Sequence, residues 1–313
     1  MTLVTIDDVR AAAKLIDGAV MRTPLISAPW AGDLRLKPEN LQLTGAFKMR
    51  GAFNAVSRLG AEGRAHGIVA DSSGNHAQAV AWAARSFGVP AVVVMPDASP
   101  PVKIDATRAL GAEVVLVPAA ERASRVREIA AERGMSVVLP FDNLDVIAGQ
   151  GTVGLEIAED LPDVETVLVP VGGGGLISGV AVAVKALCPR ARVVGVEPEL
   201  AADVAASLAA GRRIRWDESL TFRTIADGVR TPLVGELTWP HIQALVDDVV
   251  TVSEDDILDA MSSLARRARL VAEPSGALAT AAFLAAPGRF GRSVAVLSGG
   301  TVDPALLVRA LSR

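Results

Sequence analysis

Lys48 lies between an aromatic residue and a methionine, in Leu43-Thr44-Gly45-Ala46-Phe47-Lys48-Met49-Arg50-Gly51. Burial penalises an ammonium ion, so a lysine in such a setting is pulled towards its neutral form. A neutral amine can form an imine with an aldehyde cofactor and later act as a base. The same segment also reads as a helix lysine whose charged head reaches water. Lysine occurs five times in the chain, as Lys14, Lys37, Lys48, Lys103 and Lys185, and arginine supplies the rest of the 31 positive charges. A lysine placed in an apolar stretch is therefore not surface filler.

Three further clusters have the chemistry of ligand sites. Asp71-Ser72-Ser73-Gly74-Asn75-His76 falls between a β-branched run and a helical pattern. Free amides at a helix start bind anions, and the flanking hydroxyls and amide suit a carboxylate. The competing reading is an N-cap cluster with a tight turn. Gly172-Gly173-Gly174-Gly175 also joins a strand to a helix. Its amides and the helix dipole would cradle a phosphate. A dinucleotide fingerprint needs Gly-x-Gly-x-x-Gly followed by an acid such as Glu197. From Gly173 the last position is Ser178, and from Gly172 it is Ile177. The match is incomplete, which favours a monophosphate. Ser298-Gly299-Gly300 ends the last strand-like run. A hydroxyl at that end of a strand points into the cleft of an α/β sheet, and otherwise the segment is a turn.

These clusters need elements to hold them. Continuous apolar runs at 67–70, 91–95, 113–117, 166–171, 192–196 and 293–297 read as parallel strands buried on both faces. Helical patterns alternate with them, at 77–87 and 176–187 among others, and Thr5 with Asp8 and Ser253 with Asp256 form capping boxes. The alternation predicts an α/β fold of doubly wound, mostly parallel sheets flanked by helices. Two groups of strands, around 67–117 and after 166, predict two lobes with a cleft between them. The stretch 96–101 reads as a loop, and there is no internal repeat.

Composition narrows the function. A net charge of −4 argues against nucleic acid as a partner. No secretory signal and no apolar run of membrane length is recognisable. The single Cys188 excludes an internal disulfide and a multi-cysteine zinc site. Tyrosine is absent, and His66, His76 and His241 lack metal-ligand spacing. A soluble, cytoplasmic protein with no membrane partner is the expectation.

Taken together and in this order, the clusters resemble the fold-type-II pyridoxal-phosphate family (tryptophan synthase β-like), in its serine/threonine dehydratase (ammonia-lyase) and serine racemase branch. The likeness extends from Arg22-Thr23-Pro24-Leu25 to Ser298-Gly299-Gly300. It takes in Lys37-Pro38-Glu39-Asn40-Leu41-Gln42, Gly149-Gln150-Gly151-Thr152, Thr224-Ile225-Ala226-Asp227-Gly228 and Glu273-Pro274-Ser275-Gly276. The resemblance implies a large cofactor-binding domain of residues 1–66 and 141–313 and a small domain of residues 67–140. It implies that Lys48 carries pyridoxal 5′-phosphate as an imine, that Phe47 packs against the ring and that Asn75 bonds the ring hydroxyl. Gly172, Gly173, Gly174, Gly175 and Leu176 would hold the phosphate, and Ser298 would meet the pyridine nitrogen. A hydroxyl there leaves the ring a weaker electron sink, which suits rapid expulsion of a β-substituent.

By the same resemblance the substrate carboxylate lies on Ser72, Ser73 and Asn75, and Lys48 removes the α-proton. Ser73 would face the opposite side of the ring, where racemisation needs a proton donor. Glu197, the carbonyl of Ala201 and Asp203 match a divalent-cation site for Mg²⁺ or Ca²⁺. The expected reaction converts L-threonine or L-serine to a 2-oxo acid and ammonia, in a homodimer acting on a small amino acid. Serine racemisation and 3-hydroxyaspartate dehydration are the alternatives within the fold, and a β-replacement synthase fits less well. A nicotinamide-dependent oxidoreductase using Gly172–Gly175 and Glu197, or a non-catalytic amino-acid-binding protein, are the readings from other classes. Ala46, Thr301 and a shortened stretch at 31–35 depart from the family pattern and bear on the substrate. The chain ends soon after Ser298, so no C-terminal regulatory domain is expected.

Overall fold

The computed structural model describes residues 2–72, 74–99 and 101–313. Its strands are β1 (Ile26–Ser27), β2 (Leu34–Pro38), β3 (Ile68–Asp71), β4 (Ala91–Pro96), β5 (Glu113–Val117), β6 (Ser136–Val137), β7 (Thr166–Pro170), β8 (Arg192–Pro198), β9 (Asp248–Val252) and β10 (Ser293–Leu297). One sheet has the order β1-β2-β10-β7-β8-β9 and the other the order β5-β4-β3-β6. All pairings are parallel except that of β1 with β2.

The apolar runs form strands because helices cover both faces of each sheet. Val93 packs with Ala77 and Val80 on one face of β4, whereas Val92 and Val94 pack with Val126 and Ile129 on the other. In β7, Leu168 belongs to one core, and Val167 and Val169 belong to another. The run at 113–117 is the exception to the expected burial. As β5 it is an edge strand, and its residues are exposed or half-buried. An edge strand has a neighbour on one side only and is blunted by charge; Glu113 pairs with Arg133 at 2.6 Å. Both capping boxes form as expected. The region thought shortened leads into β2, which lies between β1 and β10 and carries Lys37. Among the described residues, no helix is long and apolar enough to cross a membrane.

The helix Lys48–Arg58 is the element on which the first cluster depends. Met49, Ala52, Phe53 and Val56 bury one face against Ile68, Ala77 and Val80. Its other face meets the helix Leu144–Asp160, where a side chain on Gly149 would overlap the Arg50 carbonyl and one on Gly151 would overlap Val9. Gly149-Gln150-Gly151-Thr152 is thus a contact motif between helices. Gln150 Oε1 accepts from the Gly51 amide at 3.2 Å, and Thr152 Oγ1 accepts from Arg50 at 3.1 Å.

Arg50 anchors this helix from below. Its guanidinium bonds both oxygens of Glu39 at 2.8 Å and Glu156 Oε1 at 2.6 Å. Lys37 Nζ donates to Glu156 Oε2 at 2.6 Å and to the Thr23 carbonyl at 2.5 Å. Lys37 and Glu39 are fully buried, and Arg50 is 1 % exposed. Two cations and two carboxylates therefore balance in the interior, as buried charges must.

Candidate active site

Lys48 Nζ donates to the Pro140 carbonyl at 2.7 Å and lies 5.1 Å from the centre of the Phe47 ring. None of the ion pairs among the described residues involves it. Burial with no opposing carboxylate pulls its pKa down to about 8. Lys48 is half-buried, and its ammonium turns inward to the Pro140 carbonyl and not out to a surface partner among the described residues.

The residue after Pro140 joins this lysine to the glycine turn. The Phe141 ring lies so close to Gly173 that a side chain there would overlap it, and Phe141 also packs on Gly175. Gly172 is close against Val229, and Gly174, at φ +91°, is close against Thr238. Thr238 Oγ1 donates to the Gly173 carbonyl at 2.7 Å. The four glycines are thus required first by the packing of the chain on itself. The turn then enters the helix Gly175–Leu187 with no side chain capping its first amides. Those amides are oriented for an anion.

Ser298 reaches the same place through the backbone. Phe47 N donates to the Ser298 carbonyl at 3.0 Å, Gly300 N to the Gly45 carbonyl at 2.9 Å, and Ala46 pairs with Gly299 in an antiparallel bridge. The end of β10 is therefore stitched to the loop before Lys48. Ser298 is buried, with its hydroxyl 3.4 Å from the Ser275 carbonyl.

Asn75 opens the helix Asn75–Ser86. Its Nδ2 donates to Glu273 Oε1 at 2.7 Å, and Gly299 has room for no side chain against either group. Ser72 Oγ accepts from the Gly74 amide at 3.2 Å, so part of the loop's capacity closes its own turn. Ser73 lies outside the described residues. His76 Nε2 donates to the Val138 carbonyl at 3.0 Å. Burial, with the Lys48 charge nearby, lowers its pKa to about 3, and the imidazole stays neutral.

Glu197 does not face the glycine turn. It is fully buried, and its carboxylate accepts from the amides of Val204 and Ala205 at 3.0 and 2.8 Å, at the start of the helix Asp203–Ala210. The dinucleotide reading needed it on a ribose and loses its acid. Asp203 Oδ2 accepts from Val234 N at 2.8 Å, while its Oδ1 is buried without a partner among the described residues. Burial and the charge of Asp203 raise the pKa of Glu197 well above the ordinary value, and burial raises that of Asp203 to about 7. Ala201 is fully buried between them in sequence.

The structure therefore brings together Phe47, Lys48, Asn75, Gly172–Gly175 and Ser298, and keeps Glu197, Ala201 and Asp203 as a separate cluster. Sequence reasoning missed Pro140, Phe141 and Glu273. The signal for the first two was present: Asn143 caps the helix Leu144–Asp160 through Val146 N, just after a Pro-containing turn.

The sequence matches the family of pyridoxal-phosphate dependent enzymes over residues 16–299. An L-threonine ammonia-lyase of Thermotoga maritima is 45 % identical over 99 % of this chain and 79 % of its own length. A catabolic L-threonine dehydratase of Staphylococcus aureus is 41 % identical over 96 % of this chain and 90 % of its own. Among solved structures, a T.th. threonine deaminase superposes with a TM-score of 0.90 at 44 % identity, covering 96 % of this chain and 99 % of that one. Maize serine racemase superposes with a TM-score of 0.93 at 37 % identity, covering 99 % and 98 %.

Proposed function

The chain belongs to the pyridoxal-phosphate dependent enzyme family, and on that premise we propose that it carries out a deaminating β-elimination of L-threonine or L-serine, releasing a 2-oxo acid and ammonia. The observation that carries this reading is Lys48: a half-buried amine with a pKa of about 8, no carboxylate partner among the described residues, and a carbonyl anchor, Pro140, one residue before the Phe141 that packs on the glycine turn. The names of the relatives, threonine ammonia-lyase and threonine dehydratase, support the substrate class.

The residues present fit the cofactor. Lys48 would hold it covalently, the amides of Gly172, Gly173, Gly174, Gly175 and Leu176 its phosphate, Asn75 its ring hydroxyl and Ser298 its ring nitrogen, with Phe47 against the ring. When bound, pyridoxal phosphate supplies an electron sink for the pair left at the substrate Cα. Ser72, Ser73 and Asn75 fix the substrate carboxylate. Lys48 Nζ would take the α-proton as a base. His76 plays no acid part at neutral pH, because its imidazole is already neutral and one nitrogen is tied to Val138. The β-hydroxyl would then depart as water with that proton, and a second water would hydrolyse the released imine to the 2-oxo acid and ammonia.

Purified holoenzyme incubated with L-threonine or L-serine is expected to yield ammonia and a 2-oxo acid. A 2-oxo acid from L-threo-3-hydroxyaspartate alone moves the specificity and keeps the chemistry. Racemisation is the second reading, favoured by the likeness to maize serine racemase. It needs a donor on the face opposite Lys48, which we assign to Ser73. Ser73→Ala should suppress D-serine formation far more than deamination, which loses about tenfold at most with one neutral hydrogen bond. Unchanged racemisation by chiral chromatography would place the donor elsewhere.

Glu197, the Ala201 carbonyl and Asp203 are proposed to hold Mg²⁺ or Ca²⁺. Two buried carboxylates and the partnerless Asp203 Oδ1 fit an oxygen-seeking cation. Either ion should raise the melting temperature of the wild-type protein and leave that of Asp203→Asn unmoved; an equal rise in both would remove the site. We further propose a homodimer in the cytoplasm, with residues 67–140 as a small substrate-loop domain and residues 1–66 and 141–313 as the large cofactor-binding domain.

A further inference from the structure

Glu273 is a buried carboxyl for which the proposed reaction has no use. It is 4 % exposed and caps the start of the helix Pro274–Ala285 only through its backbone position. Its amide donates to the Gly299 carbonyl at 3.1 Å, and its Oε1 accepts from Asn75 Nδ2 at 2.7 Å. A side chain at Gly299 would overlap Glu273 Oε1 and come within 3.0 Å of Asn75 Nδ2, so the contact is enclosed by the end of β10. A carboxyl placed in the interior is unfavourable for folding unless it is bonded there.

We infer that Glu273 is a positioning residue which fixes the orientation of the Asn75 side-chain amide. The inference rests on the reading of Asn75 as the contact to the cofactor ring hydroxyl. A side-chain amide carries two donors on nitrogen and an acceptor on oxygen, and rotation by half a turn exchanges them. A carboxylate can only accept, so it holds the nitrogen on its own side. The second N–H of that nitrogen is then left for the ring hydroxyl. An unconstrained Asn75 would present its oxygen for part of the time and repel the ionised hydroxyl.

The other charged groups facing Glu273 are Asp227 and Lys103, which pair with each other at 2.5 Å. Lys103 comes from the helix Pro101–Ala109 and Asp227 from the short helix Asp227–Val229. Burial and then Asp227 raise the pKa of Glu273, the Asn75 bond and Lys103 lower it, and the balance is about 8. Below that pH the protonated group can also donate to an amide oxygen, so either orientation is tolerated. Above it only one is. The grip on Asn75 therefore tightens as the pH rises through about 8.

The test uses the holoenzyme. Glu273→Gln is isosteric but accepts and donates, and so cannot dictate the orientation. It is expected to retain borohydride-reducible cofactor, to move the visible absorbance band of that cofactor, and to lose the pH dependence of the band near 8. Above about pH 8, where Glu273 is ionised, its kcat for L-threonine should fall about tenfold to hundredfold, the range for a hydrogen bond to a charged group, with KM changed less, and the deficit should shrink below that pH. A wild-type band, pH profile and kcat overturn the inference. If Glu273→Gln does not fold, Glu273→Asp, which withdraws the charge by one methylene, should move the band likewise, and wild-type behaviour there overturns it equally. Asn75→Ala alone should also move the band. If it does not, the reading of Asn75 itself fails; if it does and Glu273→Gln does not, Glu273 alone is refuted. Adding Glu273→Gln to Asn75→Ala should move the band no further, and an additive shift would overturn the inference.

Discussion

Lys48→Ala is expected to abolish both turnover and covalent attachment of pyridoxal phosphate. No other lysine among the described residues is in a comparable place. Lys14 is exposed, Lys37 is locked between Glu156 and the Thr23 carbonyl, Lys103 is paired with Asp227, and Lys185 with Asp247. Lys48 meets the Pro140 carbonyl but no carboxylate among the described residues, and has a pKa of about 8. At pH 7 about one-tenth of it is the neutral, nucleophilic amine, against less than about one-thousandth of an ordinary lysine. Reconstitution of the cofactor-free protein should accordingly quicken with pH, by about tenfold from pH 7 to 9. Loading of Lys48→Ala to a borohydride-stable product at the wild-type rate would contradict the assignment.

Arg50→Met is expected to have the largest effect on stability, a loss of about 3–5 kcal/mol in urea unfolding at neutral pH. Methionine fills much of the same volume, but it leaves Glu39 buried with only Lys37 and hydrogen bonds to face it. In the wild type, burial would raise the pKa of Glu39; the Arg50 charge and its hydrogen bonds outweigh that, and the pKa lies below 4.5. A depressed carboxyl pKa gives stability that is present above the unfolded value and lost as the pH falls through the folded one. Without Arg50 the sign reverses: burial prevails, the carboxyl takes up a proton, and stability is lost as the pH rises. The deficit of Arg50→Met should therefore be largest at neutral pH and shrink towards pH 4. A loss under about 1 kcal/mol at pH 7 would mean that water relieves these charges.

The sequence made the strands buried on both faces easy to see, because two cores demand continuous β-branched runs such as 91–95 and 166–170. It misjudged β5, since an edge strand carries nearly the same apolar residues and differs in its neighbours alone. β2 and β9 were overlooked because Lys37, Asp248 and Thr251 break their apolar pattern, and Lys37 is tolerated only through Glu156, which is distant in sequence. In the site, Lys48 and the glycine turn were recognisable from local composition. The reason for the glycines was not: they make room for Phe141, Val229 and Thr238. Glu273 stood out only as part of a motif, because its partner Asn75 is 198 residues away. Acids such as Glu197 were legible as residues and ambiguous as roles until their partners, the amides of Val204 and Ala205, were known.

Lys48 is proposed to carry the cofactor of an amino-acid lyase. Borohydride reduction of the holoenzyme, proteolysis and mass spectrometry would locate the attached pyridoxyl group. The account predicts a single modified peptide containing Lys48, obtained in a preparation that has just formed a 2-oxo acid from L-threonine or L-serine. A modified peptide containing Lys14, Lys37, Lys103 or Lys185, or no modified peptide from an active preparation, would contradict it.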